Sequence, residues 1–126
     1  MSESTGMNKK ELKEAYKLRK FKMGVFQIRN TVNNKIFVEG SVNLDAIWNR
    51  HRVELSVGKH RNEAMQQDWN TYGEQSFVFE ILGQIEPREG KDLENGKEVK
   101  LLEQMYLEEL QPFEEKGYNR RPRTVK

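Results

Sequence analysis

Four side chains stand out because their chemistry does not match their neighbours. Val99, Leu102, Tyr106 and Leu110 share one side of a helix, and at 100° per residue Glu103 falls between Leu107 and Leu110, inside the apolar arc. A carboxylate buried there without a partner costs several kcal/mol, so it calls for a metal ion, a cationic side chain or an open cleft; the alternative is a glutamate at the edge of the arc reaching water. Glu39 closes the apolar run Ile36-Phe37-Val38 as a second misplaced carboxylate. His51 lies on or beside the stripe Leu44, Ile47, Trp48 and Leu55, where a histidine is more often a hydrogen-bonded packing residue than a ligand or base. His60 sits between Lys59 and Arg61 in a basic loop that can meet a phosphate.

The elements that must position them are legible. Met23–Ile28 and Ile36–Glu39 are short runs rich in β-branched and aromatic residues, joined by an Asn-rich connection suited to a tight hairpin turn. Period-2 alternation puts Gly24, Phe26 and Ile28 on one face, and Phe37 with Glu39 on one face. The spacing predicts a helix from Asn43 to about Val57, stopped by Gly58, and a second from about Asn62 to Tyr72, ended by Gly73. Hairpin and first helix then form two walls of a cleft. Phe77 to Leu82 reads as a strand buried on both sides and therefore central. Pro87 to Gly96 reads as a polar loop, followed by a helix from about Lys97 to Leu110 that Pro112 ends. Residues 1–7 are small and polar and are expected to be disordered; Asn8 can cap an amphipathic basic helix running to about Phe21. Residues 120–126 form a basic tail.

The chain has 126 residues and no cysteine, which fits one domain and excludes zinc-ribbon, thiol-nucleophile and disulfide-scaffold classes. No apolar run approaches bilayer length and the N-terminus is polar, so neither membrane insertion nor export is indicated and a cytoplasmic location is expected. The net charge of +2 is unevenly distributed. Residues 86–115 carry 10 acidic and 4 basic side chains; the remainder, net +8, concentrates its cations in Lys9–Lys22, Arg50–Arg61 and Lys116–Lys126. Such patches can converge on one polyanion, or they can be ordinary solvated surface.

Taken in order, Gly24-Val25-Phe26, Phe37-Val38-Glu39, Asn43-Leu44, Trp48-Asn49-Arg50-His51, Gly58-Lys59-His60, Trp69-Asn70, Tyr72-Gly73, Glu103 and Gly117-Tyr118-Asn119 resemble the motifs of the GIY-YIG endonuclease superfamily, most of all its homing-endonuclease and phage-type branch. The resemblance covers residues 23–119. It implies an α+β fold, a small three-stranded antiparallel sheet flanked by helices, here with an extra N-terminal helix over residues 8–22. It also implies phosphodiester cleavage of nucleic acid with one divalent ion, Mg2+ or Mn2+, held by Glu103, with Asn119 as a polar group orienting the phosphate and with His51 and His60 where relatives use histidines. The motif tyrosines are replaced by Phe26 and Phe37, the helix arginine by Ile47, and the glycine closing the second motif by Glu39. Losing phenols removes proton transfer worth roughly 10²- to 10⁴-fold. Losing the guanidinium removes a transition-state contact. Arg50, close to Ile47 on the helix, can reach a phosphate or pair with Glu39, and Tyr118 is a further candidate base.

Three functions follow. The first is a nuclease-like protein with lost or severely reduced hydrolysis that still binds nucleic acid, DNA favoured, through Arg50, Lys59, Arg61, Arg120 and Arg121. The second is an active metal-dependent DNA endonuclease with a rearranged base. The third is a protein-interaction module, with a protein partner or a homodimer formed through the N-terminal helix.

Overall fold

The computed structural model describes residues 8–10 and 21–121. Lys9 and Lys10 are helical; the rest of the expected N-terminal helix, the first seven residues and the end of the basic tail lie outside the described residues. The apolar alternation of the hairpin is realised as β1 (Met23–Asn30) and β2 (Ile36–Ser41), with Phe26 opposite Glu39 and Ile28 opposite Phe37. In the turn Asn34 takes a left-handed φ of 65°, and the Asn30 side chain accepts from Val32 N–H at 2.9 Å. Asparagine tolerates that backbone region and offers a local acceptor, which explains the Asn-rich composition.

Asparagines also start the next two helices. Asn43 accepts from Ala46 N–H at the head of α1 (Leu44–Ser56), and Asn62 accepts from Met65 N–H at the head of α2 (Glu63–Tyr72). Gly58 and Gly73 follow their ends with φ of 77° and 91°. Both helices match the ranges expected from spacing.

The third strand, β3 (Phe77–Ile85), runs antiparallel beside β1, and the sheet order is β2-β1-β3. The central strand is therefore β1, and the expectation that Phe77–Leu82 is central and covered on both faces is corrected. Within that run only Phe77 is buried; Ile81 is exposed, and Glu80 takes a two-pronged bond from Arg29 of β1 at 2.9 and 3.0 Å. A short apolar run cannot by itself distinguish a two-sided strand from an edge strand. The last helix, α3 (Asp92–Leu110), begins five residues before Lys97, inside the expected loop. Asp92 and Glu94 suit its positive N-terminal end. The buried Asn95 side chain ties the first turn to Arg88 N–H and C=O, which offsets the cost of Gly96.

The sheet separates two layers. Phe26, Ile28 and Phe37 pack with Leu44, Leu55, Met65, Trp69, Phe77 and Tyr118 beneath α1 and α2. By alternation Val25 and Val38 face the other way, towards α3, whose Val99 presses on Gly40. After α3 the chain returns along the free edge of β2, where Tyr118 N–H donates to Ile36 C=O at 2.8 Å. Gly117 makes this approach possible, because a side chain there would collide with the carbonyls of Pro112 and Ile36. Among the described residues no helix is long and apolar enough to cross a membrane.

Candidate active site

His51 is held by α1 against the hairpin, with the Phe26 ring 5.8 Å and the Phe37 ring 5.5 Å from its own. Only 2% of it is exposed. Its Nδ1 lies 2.7 Å from His60 Nε2, and its Nε2 lies 2.7 Å from Glu39 Oε1. The direction of these bonds follows from one backbone group. Asn62 N–H donates to His60 Nδ1 at 3.0 Å, so that nitrogen carries no proton and the proton of the neutral ring sits on Nε2. His60 Nε2–H then donates to His51 Nδ1, and His51 Nε2–H donates to Glu39. The result is a one-way chain, Asn62 to His60 to His51 to Glu39. Burial first, then the neighbouring His51, holds His60 below the ordinary histidine range, which agrees with a neutral ring.

The far end of the chain is Glu39. Burial pushes its carboxyl up, but hydrogen bonds and charge from His51 and Arg61 outweigh this and hold it below the usual carboxylate range. Arg61 Nη2 donates to Glu39 Oε2 at 2.8 Å. Arg50 does not reach Glu39 as expected; it bonds Glu54 at 3.2 Å, its neighbour one turn along α1. Glu54 also sits 3.9 Å from His60 Nε2.

His51, Glu54 and His60 bring three ligand atoms within 4.8 Å of one another. The donor set does not fit a metal ion as arranged. Two ligand nitrogens at 2.7 Å leave no room for an ion between them, and binding at His60 Nε2 would move its proton to Nδ1, against Asn62 N–H.

Glu103 lies across the free edge of β2 from the histidines. Its Oε2 accepts from Gly40 N–H at 3.0 Å and its Oε1 is 3.5 Å from Lys100 Nζ. The misplaced carboxylate therefore has the partner its position demands. Glu39 and Glu103 line one cavity of about 300 Å3 together with Gly40, Ser41, Val99 and Lys100. Glu103 fits a hydrated divalent cation, since one oxygen keeps only a loose, exposed lysine partner beside open space.

The remaining expected site residues are placed differently. Asn119 spends both halves of its amide on the sheet edge, accepting from Val38 N–H and donating to Val38 C=O, each at 2.8 Å. Ile47 is half-buried against the core. Tyr118 is no base: burial and its bond to Asp68, at 2.7 Å, push its hydroxyl far above its ordinary value. Lys59 and Arg120 are exposed, while Arg121 is bound to Glu114. Asn62 Nδ2 donates to Tyr118 C=O at 2.7 Å, which ties the segment leading to Arg120 beside the loop carrying Lys59 and Arg61. Sequence reasoning missed Glu54 and Asn62. Glu54 follows His51 by three residues on one helix face, and that spacing was the available signal.

No family model matches the chain. It is 36% identical over 64 residues, 51% of its length, to Intron-associated endonuclease 1 of Enterobacteria phage T4, of which it spans about a quarter, 26%. Against a solved catalytic domain of intron endonuclease I-TevI, an alanine-for-glutamate mutant, it has a TM-score of 0.63 and 31% identity, covering 79% of this chain and 93% of that one. The chain belongs to the GIY-YIG endonuclease superfamily. A second structure, the catalytic domain of homing endonuclease I-TevI, agrees, with a TM-score of 0.60 and 32% identity over 77% of this chain and 96% of that one. The three-stranded sheet and its three helices are thus a GIY-YIG fold. In this GIY-YIG chain the contact between hairpin and α1 is closed by rings around His51, and the open space lies at the β2 edge between Glu39 and Glu103.

Proposed function

We propose that this GIY-YIG protein binds nucleic acid, DNA in the first place, and has lost or severely reduced phosphodiester hydrolysis. The observation that carries the reading is the packing around His51. Phe26 and Phe37 cover the imidazole, Ile47 joins the same core, and none of the three supplies a phenol or guanidinium. At the positions where family chemistry requires them, that removes a proton relay worth about 10²- to 10⁴-fold and a charge contact in the transition state. His51 cannot substitute, because both of its nitrogens are engaged.

Binding rests on the exposed cations Lys59, Arg61 and Arg120, carried by two segments that the Asn62–Tyr118 bond ties together, with Arg50 on the adjoining helix. Each phosphate contact releases counterions. A divalent ion, Mg2+ or Mn2+, would be held by Glu103 and would supply charge neutralisation at phosphorus. Glu39, kept ionised by its donors, is a weak base, and this disfavours an active enzyme with a rearranged base.

Two measurements test the reading. Fluorescence anisotropy with labelled oligonucleotides should give an affinity that falls with salt and weakens in Lys59→Ala/Arg120→Ala. Supercoiled and branched DNA with Mg2+ or Mn2+ should remain uncut. Absence of binding at low salt overturns the binding half, and cleavage that Glu103→Ala abolishes overturns the loss of hydrolysis.

A further inference from the structure

We propose that His51 and Arg61 form an oxyanion seat for a nucleic-acid phosphodiester, and that Glu39 occupies this seat as a built-in substitute for the phosphate. The inference deepens the nucleic-acid-binding reading and rests on it. The two oxygens of Glu39 are divided between two donors on different elements, His51 Nε2–H at 2.7 Å and Arg61 Nη2–H at 2.8 Å. A phosphodiester offers the same pair of anionic oxygens, and charge-assisted bonds of this length suit either group.

The donor at His51 is fixed in advance. Its other nitrogen is taken by His60, whose ring accepts from Asn62 N–H at Nδ1 and whose backbone N–H donates to Gln66 Oε1 at 3.0 Å. Gln66, also buried, anchors to Leu55 C=O at 3.0 Å. An N–H backed by His60, which is itself held at its ring and at its backbone, keeps its aim when its acceptor leaves, so the seat survives exchange of one anion for another. The carboxylate also has somewhere to go. Glu39 borders the cavity of about 300 Å3 shared with Ser41, Lys100 and Glu103, and Lys100 is exposed and only loosely paired. Arg61 is largely exposed, so it can follow an incoming phosphate while His51 stays in place.

Glu39 therefore sets a threshold. A single phosphate must displace an ionised carboxylate, whereas a strand contacting Lys59 and Arg120 as well brings enough additional contacts to do so. Occupancy of the seat then discriminates an extended nucleic acid from a free small anion.

The test uses the full chain, inorganic phosphate and a labelled oligonucleotide, with ring 1H–15N correlations of the two histidines as the site-specific readout. Phosphate should leave the wild-type His51 signal in place and shift it in Glu39→Ala, with binding at least about tenfold tighter. That gain should vanish in Glu39→Ala/Arg61→Ala and be absent in Glu109→Ala, which removes one exposed carboxylate near the end of α3. If Glu39→Ala melts too early, Glu39→Gln is read instead, with a smaller shift in the same direction. A gain equal to that of Glu109→Ala, or one that survives loss of Arg61, reduces the effect to net charge and overturns the seat. A His51 shift with phosphate but no binding of the oligonucleotide to any variant keeps the seat and overturns the nucleic-acid reading.

Discussion

Replacing Asn119 by alanine asks whether this residue is a clamp on the sheet or a free polar group of the cleft. Its amide satisfies both the N–H and the C=O of Val38 at 2.8 Å. Val38 is 1% exposed, so truncation leaves two backbone groups at a strand edge that water reaches poorly. Two net hydrogen bonds give a loss of about 2 kcal/mol, rising to ~4 kcal/mol where both groups stay dry. Urea unfolding followed by tryptophan fluorescence reads this directly, since Trp69 is buried in the core and Trp48 packs against it. The midpoint should fall without a change in slope.

Asn119→Asp sharpens the test. Ionised, the carboxylate still accepts from Val38 N–H but sets its second oxygen against Val38 C=O. Protonated, it can donate as the amide does. Its folded pKa is therefore raised above the ordinary value of about 3.9, so the stabilisation is present below that value and is lost as pH rises through the folded one. Asn119→Asp should be less stable than Asn119→Ala at neutral pH and more stable near pH ~4. A cost below about 0.5 kcal/mol for Asn119→Ala, the scale of an ordinary surface change, would refute the clamp. Identical pH curves for the two variants would do the same.

Restoring Phe26→Tyr, Phe37→Tyr and Ile47→Arg together should bring metal-dependent nicking of supercoiled DNA that Glu103→Ala abolishes; silence with an unchanged melting temperature would mean that other positions have diverged as well. Tyr118→Phe should cost about 1–3 kcal/mol, because the hydroxyl donates to Asp68 and accepts from the buried Asn30 amide, and calorimetry measures it. Stability should also fall with acidification. The folded His60 resists the proton that the unfolded chain takes up near the ordinary histidine value of 6.5, so stability is complete above that pH and declines below it, by up to about 1.4 kcal/mol per unit. His60→Asn should flatten this slope, and NMR should show one of the two histidines titrating below the ordinary range.

What could be read from sequence was local. The hairpin, α1 and α2 announce themselves through alternation, helical spacing, asparagine caps and following glycines, all within a few residues. The unusual position of Glu103 followed from helix geometry alone, and the structure supplies its partner in Gly40 N–H. The start of α3 was hidden because Gly96 reads as a loop residue, and the Asn95 side chain that compensates bonds backward to Arg88. Strand order was hidden because Phe77–Leu82 is as apolar as a central strand. The pairing of Glu39 with Arg61 joins residues 22 apart through packing of the loop on the hairpin, and no periodic pattern marks it.

The substitutions around His51 act in one direction. Rings on its faces and bonds at both nitrogens leave the imidazole no position from which to take a proton from water. What remains outward is one N–H of fixed aim, ending at a carboxylate. In the proposed reading the imidazole acts as a preorganised donor, and a donor of that kind can bind an anion without activating a nucleophile. On the proposed function, retained binding and lost cleavage would be consequences of one arrangement. Restoring the phenols while Glu39 still covers the His51 Nε2–H should recover less activity than also opening that N–H to the scissile phosphate, a comparison that adding Glu39→Gly to the triple variant makes directly.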